Sequence, residues 1–232
     1  VAIPIKEIAR VAHDHGALVC VDGAQSVPHM NVDVQELDID FLALSIHKMC
    51  GPTGMGGLWG RYDLLDNLRT IQAGGQTVKS TTYDSIEWGN PPSRFEGGLG
   101  NFAGMAAAGK AVDYLSNLDM KGVQEHEIRI NQIMTDGIKD LPGIEIIGPL
   151  DARKRGGICS ILMNDIPIHD IAILLDEAAG VMVRSGQHCV HSWFNSRGHQ
   201  NGSIRASAYF YNTEEEARLF AETFSEAVHA FS

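Results

Sequence analysis

The chain has 232 residues, with 18 Lys and Arg against 29 Asp and Glu, so its formal net charge is −11. Hydrophobic residues make up 44% and charged residues 20%, the composition of a folded globular protein and not of a disordered or fibrous one. The acidic balance argues against a nucleic-acid partner, and no apolar run approaches the ~20 residues of a membrane-spanning helix. The four cysteines, at positions 20, 50, 159 and 189, are too sparse for a disulfide scaffold, so a reducing, cytoplasmic setting is expected.

Residues 4–12 place Ile5, Ile8, Ala9 and Ala12 on one helical face, with Pro4 in the first turn and Gly16 past the end. Residues 17–21 read as a buried strand stopping at Asp22, and residues 41–46 as a second strand stopping at His47 and Lys48. Continuous apolar runs predict parallel strands covered on both faces, and hence an α/β layer. Residues 51–60 form a glycine-dense turn and a short strand, while the Gly-, Ser-, Thr- and Pro-rich stretch 72–101 reads as an extended, ordered loop. Helical patterns follow at about 102–118 and about 122–140. The remainder reads as strands at 144–147 and 158–163, a helix at 168–179, strands at 181–184 and 204–210, and a final helix. Thr213 and Glu216 form a capping box for that helix, and Ala217, Phe220, Ala221, Phe224 and Val228 form its apolar stripe. A domain boundary is expected near 113, separating the α/β residues 1–113 from a small α+β domain at 114–232.

Asp22 and Lys48 each lie at the carboxyl end of a predicted parallel strand, the edge where open α/β sheets bind ligands. A lone Asp in that place is ordinarily a turn residue or a helix cap. Asp22, Gln25, Ser45, His47 and Lys48 together carry a different meaning: a strand-end Lys, flanked by Ser and His and facing an Asp one strand away, is what pyridoxal phosphate requires. The amine condenses with the cofactor aldehyde, the carboxylate keeps the pyridine nitrogen protonated, Gln25 donates to the ring hydroxyl oxygen, and Ser45 and His47 supply donors for phosphate oxygens. Cys20, in mid-strand, reads as a small buried hydrophobe, and Cys50 and Cys159 as structural. Cys189 stands apart in the polar stretch 186–203 between two strands, a length uncommon unless functional or mobile. His188 beside it, with Arg184 and His191 nearby, is expected to favour a reactive thiolate. His47 with Cys50, and His188-Cys189 with His191, offer metal-ligand pairs, but there is no Cys-x-x-Cys and His47 is better used beside Lys48, so no metal is expected. His13, His15, His126, His169 and His229 read as helix-surface residues.

Asp22-Gly23-Ala24-Gln25, Ser45-Ile46-His47-Lys48 and Gly51-Pro52-Thr53-Gly54 resemble the cofactor core of class V aminotransferase-fold enzymes. The resemblance is greatest to cysteine desulfurases of the sulfur-mobilisation type, a group that includes selenocysteine lyases. Arg94-Phe95-Glu96-Gly97-Gly98, Arg184-Ser185-Gly186-Gln187-His188-Cys189, Arg205-Ala206-Ser207 and Tyr211-Asn212-Thr213 extend the match along the whole chain. It implies a fold type I pyridoxal-phosphate transferase, here the later part of the large-domain sheet, parallel or mixed, plus a small α+β domain.

The same resemblance implies that L-cysteine, or L-selenocysteine, is cleaved to alanine, with Lys48 moving protons, Arg205 holding the substrate carboxylate and Cys189 attacking the sulfur to become a persulfide. It further implies a homodimer and a sulfur-acceptor protein serving iron–sulfur cluster assembly. Alternatives are an aminotransferase or epimerase-like relative, which needs no thiol acceptor, and an inactive paralogue. Three departures from the family pattern stand out. The family's chain extends much further upstream, so this chain is expected to be a partial reading of a longer gene or one half of a split enzyme, with an open strand edge and an uncovered apolar face. Leu99 stands where a Thr reaches the neighbouring subunit's cofactor phosphate, and a leucine cannot donate that hydrogen bond. Gln187 replaces a His common before the His-Cys pair.

Overall fold

The computed structural model describes residues 1–164 and 166–231, and the chain divides into two compact units, residues 4–120 and residues 121–232 with 1–3. In the first unit, helix α1 (Ile5–Asp14) buries Ala9 completely, but Ile8 stays 44% exposed, so the apolar stripe is narrower than its spacing predicts. A three-stranded mixed sheet follows, in the order β1 (Cys20–Asp22), β2 (Phe41–Ser45), β3 (Gly56–Gly60). β1 runs parallel to β2 with Asp22 opposite Ala43, and β3 returns antiparallel with Gly56 opposite Ser45. β1 begins three residues later than the apolar run suggests and lies at the edge of this sheet, where Cys20 and Leu18 are exposed. Cys20 is therefore not the buried hydrophobe its position in the run implied.

Asp40, immediately before β2, is fully buried. Its carboxylate accepts hydrogen bonds from the Val19 backbone N–H at 2.7 Å, His13 Nε2 at 2.9 Å and Arg61 Nη1 at 3.4 Å. One carboxylate thus ties the end of α1, the lead-in to β1 and the exit of β3 to the start of β2. His13 is drawn inward by this bond and is not a plain surface residue. The bond to Asp40 holds the His13 imidazole above its ordinary pKa against the opposing effect of burial, with the charges of Asp40 and Asp38 acting in the same direction. Burial works to raise the Asp40 carboxyl, but His13, the Val19 N–H and Arg61 outweigh it and hold it below the ordinary value.

β2 runs on into a tight 3-10 turn, Ile46–Met49, which carries Lys48 and ends at Cys50 in the left-handed region, φ 62°. Gly51 closes this turn against α3 (Phe102–Ser116): a Cβ there would come within 2.4 Å of Ile46 Cγ2 and 3.3 Å of Ala111. Helix α2 (Tyr62–Asn67) leaves β3, and the Arg94 guanidinium donates to the carbonyls of Leu65, Asp66 and Leu68 at its end, so this motif arginine serves as a helix cap. The stretch 72–101 is more ordered than a loop. It contains the antiparallel hairpin of β4 (Val78–Thr81) and β5 (Ile86–Trp88), and Leu99 is 86% exposed beyond it.

The second unit is a four-stranded antiparallel sheet, order β6 (Ile144–Ile146), β7 (Ile158–Met163), β9 (Ser203–Ser207), β8 (Arg184–Gly186). Three helices supply its apolar cover, α4 (Met120–Ile138), α5 (Ile168–Ala179) and α7 (Glu214–Ala230), through fully buried residues such as Ile130, Leu175 and Phe224 packed with Ile161 and Ile204. A short helix, α6 (His191–Ser196), lies between β8 and β9. The Thr213–Glu216 capping box is formed reciprocally at the start of α7. β8 starts at Arg184 and not at 181, because Gly180 turns left-handed (φ 65°) and the Val181 N–H bonds back to the Leu175 carbonyl, which commits those residues to the exit of α5. β9 stops at Ser207 because Asn212 bonds to both the N–H and the carbonyl of Tyr209, closing a turn.

The raised His13 pKa makes that residue's contribution complete below the ordinary imidazole value and lost as pH rises through the raised one. The lowered Asp40 value makes its contribution complete above the ordinary carboxyl value and lost as pH falls through the lowered one. Asp40→Asn is expected to cost about 2 kcal/mol at about pH 6 and less at about pH 9, measured by urea unfolding at both. Gly51→Ala is expected to cost about 2 kcal/mol, because the added methyl must displace Ile46 in the Lys48 turn, and the same unfolding measurement reads it.

Candidate functional site

The carboxyl ends of β1 and β2 gather five polar side chains. Asp22 closes β1, and its Oδ1 accepts the Ala24 N–H at 2.9 Å, while the Gly23 N–H bonds to the Ala43 carbonyl at 2.8 Å and clips the following turn to β2. Gln25 is exposed in that turn. Ser45 ends β2 half-buried, and the 3-10 turn then sets His47 outward and Lys48 half-buried. Among the described residues, Gln25, Ser45, His47 and Lys48 make no side-chain hydrogen bond or ion pair, and Asp22 accepts only from Ala24. One amine, a free carboxylate oxygen, an amide, a hydroxyl and an imidazole are thus left at one strand edge. That donor set fits pyridoxal phosphate: an aldehyde for the amine, a basic ring nitrogen for the carboxylate, and hydroxyl and phosphate oxygens for the donors.

In the second unit, Arg205 on β9 stands opposite Arg184 on β8 and opposite Ser160 on β7. Directly opposed residues of antiparallel strands share a face, and like charges so placed repel. Burial is the main influence holding the Arg205 guanidinium below its ordinary pKa, the charge of Arg184 adds to it, and the Cys189 sulfur acts the other way. Arg205 Nε is buried without a partner among the described residues. Two facing guanidiniums with an unsatisfied donor form a place where an anion relieves repulsion and completes hydrogen bonding.

Cys189 follows β8 and is exposed, on a left-handed backbone with φ 65°. The stretch 186–203 is not an open connection. It contains α6, and its neck is shut where Gly202, φ 85°, leaves so little room that a Cβ would sit 2.2 Å from the Gly186 carbonyl carbon. Gln187 Nε2 donates to the Gln200 carbonyl at 2.7 Å and to Asn195 Oδ1 at 3.0 Å, so the glutamine that departs from the family pattern fastens the loop. Burial is the main cause that lowers the His188 pKa; the Ser203 backbone bond opposes this, while Arg205 and Arg184 add to it. The Cys189 sulfur is close enough to act on the Arg205 guanidinium.

The pairing of Arg184 with Arg205 escaped sequence reasoning because the start of β8 was misplaced, and register decides which side chains face each other. The glycines at 186 and 202, flanking the cysteine stretch, were the available sign of a closed neck. Of the other cysteines, Cys159 is fully buried, and Cys50 is exposed at the end of the Lys48 turn.

The aminotransferase class-V family pattern matches residues 1–220. A cysteine desulfurase of Haloferax volcanii is 39% identical over 229 residues, covering 99% of this chain and 53% of the relative. A probable cysteine desulfurase of Halalkalibacterium halodurans is 40% identical over 223 residues, covering 94% of this chain and 53% of the relative. Among solved structures, the apo cysteine desulfurase of Thermococcus onnurineus superposes with a TM-score of 0.90 at 33% identity, over 97% of this chain and 56% of that one. The cysteine desulfurase CsdA of Escherichia coli gives a TM-score of 0.89 at 29% identity, over 98% and 56%. The chain spans about half the length of the curated relatives it matches. With the family match running along nearly all of its residues and the fold shared with both solved structures, the chain belongs to the aminotransferase class-V family, in its fold type I form.

Proposed function

We propose that the protein is a pyridoxal-phosphate-dependent cysteine desulfurase that releases alanine from L-cysteine and collects the sulfur on Cys189. The observation that carries this reading is the parallel register of β1 and β2, which ends Asp22 and the Lys48 turn at one sheet edge with their polar atoms open. Cys189 within the influence of Arg205 adds the thiol that a plain aminotransferase has no use for.

Lys48 Nζ and Asp22 would hold the cofactor, at its aldehyde and its ring nitrogen, and Gln25, Ser45 and His47 its oxygens. When bound, pyridoxal phosphate supplies an electron sink for charge developing at the substrate Cα. Lys48 Nζ takes the Cα proton as a general base and returns a proton as alanine forms. Arg205 orients the substrate by pairing its planar donors with the carboxylate. Cys189 Sγ attacks the substrate sulfur as a thiolate; the S–S bond of the persulfide forms as the Cβ–S bond breaks, and the electron pair left on the carbon side takes up a proton as alanine forms. The reading extends to a protein that takes the sulfur onward for iron–sulfur cluster assembly and to a two-copy enzyme. The same chemistry would serve L-selenocysteine.

The test is sulfide and alanine release from cysteine by the protein reconstituted with pyridoxal phosphate. Both products are expected in equal amounts when a thiol reductant is present, and an amino acid–keto acid exchange without sulfide would replace this reading with an aminotransferase. Lys48→Ala is expected to abolish turnover and the visible absorbance of the bound cofactor. Cys189→Ala is expected to keep that absorbance and lose sulfur release. Arg205→Gln is expected to lower kcat/KM for cysteine by about tenfold or more, the loss of a charge-assisted carboxylate contact.

A further inference from the structure

Two consecutive residues, His188 and Cys189, adopt left-handed backbone conformations, with φ of 48° and 65°. L-residues with a Cβ rarely take this region, and neither residue is the Gly or Asn that tolerates it best. Such a turn persists only where contacts outside it over-determine the geometry. The Val190 N–H closes the turn on the Gln187 carbonyl at 2.8 Å, and the His188 side chain ties it to β9. His188 Nε2 lies 3.0 Å from the Ser203 carbonyl oxygen and 3.2 Å from Ser203 Oγ. A carbonyl only accepts, so Nε2 carries a hydrogen, and Nδ1 is buried without a partner among the described residues. Ser203 is fully buried, opens β9 opposite Gly186, and stands two residues before Arg205 on the same strand. The buried Phe194 ring of α6 backs the imidazole edge-on, with ring centres 6.3 Å apart.

We propose that His188 is a positioning residue for Cys189: its imidazole pins the left-handed turn to the start of β9, so that the sulfur is held within the field of Arg205. The neighbouring charges suit a clamp in one tautomer. Arg205 on β9 and Arg184 on β8 both oppose a second proton on the ring, as burial does. His169 of α5 bonds through Nδ1 to Ser185 Oγ of β8 at 2.7 Å, and His191, Arg197 and His199 lie in the same 186–203 stretch. Gln187 fastens the other side of the neck, through Asn195 and Gln200, and His188 adds a side-chain bond from the cysteine turn to the start of β9, next to the Gly186–Ser203 pairing of β8 and β9.

The proposal rests on the reading of Cys189 as the sulfur acceptor, and its test uses neither cofactor nor cysteine, so the two can fail separately. The chain is alkylated at one pH with iodoacetate and with iodoacetamide, and each cysteine is read by peptide mass mapping. The exposed Cys20 and Cys50 are internal standards, and Cys159 is fully buried. A sulfur held beside Arg205 is expected to prefer the anionic reagent by about threefold relative to Cys20, the size of one partly exposed charge contact. His188→Ala is expected to remove that preference, Arg205→Gln to remove it as well, and the double variant to lose nothing further, since both act on one contact. His188→Asn, which tolerates the left-handed turn and keeps an N–H donor, is expected to retain it. Should the Ala variant not fold, His188→Gly, which relieves the backbone but cannot clamp, is expected to lose the preference in the same way. Parent-like selectivity in the folded Ala or Gly variant, or additive losses in the double variant, would overturn the proposal.

Discussion

The buried carboxylate of Asp40 is the point on which the first unit depends. Removing an ionised carboxylate from water is costly, and it is tolerated here because three donors from three segments converge on it: His13 from α1, the Val19 N–H before β1, and Arg61 after β3. The three segments gain that stabilisation only when they are placed correctly relative to β2. The start of β2 is thereby set against β1, and a parallel pair so set must end with Asp22 opposite Ala43 and Lys48 on the turn just beyond. A slip of one residue would reverse the facing of every side chain in the pair and move the edge that carries the polar cluster. Arg94 performs a similar task at the end of α2, where it takes up carbonyls that the helix leaves unpaired.

The second unit uses a buried polar row on α4 for the same purpose. The Asn131 side-chain amide donates to the Gly156 and Ile158 carbonyls, Thr135 Oγ1 donates to the Asn131 carbonyl at 2.7 Å, and Arg155 donates to Thr135 Oγ1 and, at 3.6 Å, to Cys159 Sγ. These bonds fix the start of β7 against α4, and β7 in turn pairs with β9, the strand of Arg205. Burial raises the Cys159 thiol pKa, with Arg155 and Thr135 opposing it. Its environment is the reverse of that around exposed Cys189. One thiol is a packing group held as a neutral small side chain, and the other is open to solvent near a guanidinium.

What the two units share is a separation between satisfied and unsatisfied polar groups. Asp40, Asn131 and Thr135 are buried and hydrogen-bonded, and they hold the frame. Among the described residues, Lys48 and one oxygen of Asp22 make no side-chain bond, and Arg205 Nε is buried without a partner, as are the Nε atoms of Arg94 and Arg155.

Several features were legible along the chain because they are local. The helix at 168–179 and the capping box of α7 follow from short-range spacing, and the strand ends at Asp22 and Lys48 follow from where apolar runs stop. That Asp22 and the Ser45–Lys48 run close neighbouring strands was legible too, since it depends on where each apolar run stops. Register and burial were not. Whether Arg184 meets Arg205, whether Cys20 faces solvent, whether His13 turns inward to Asp40 and whether 72–101 folds into a hairpin all depend on partners distant in sequence. The protonation of His188 belongs with these, because burial and two arginines on different strands set it. Residue order alone determined the elements and the chemical groups they carry; only the tertiary structure decided which groups face one another, because burial and charge coupling act through space.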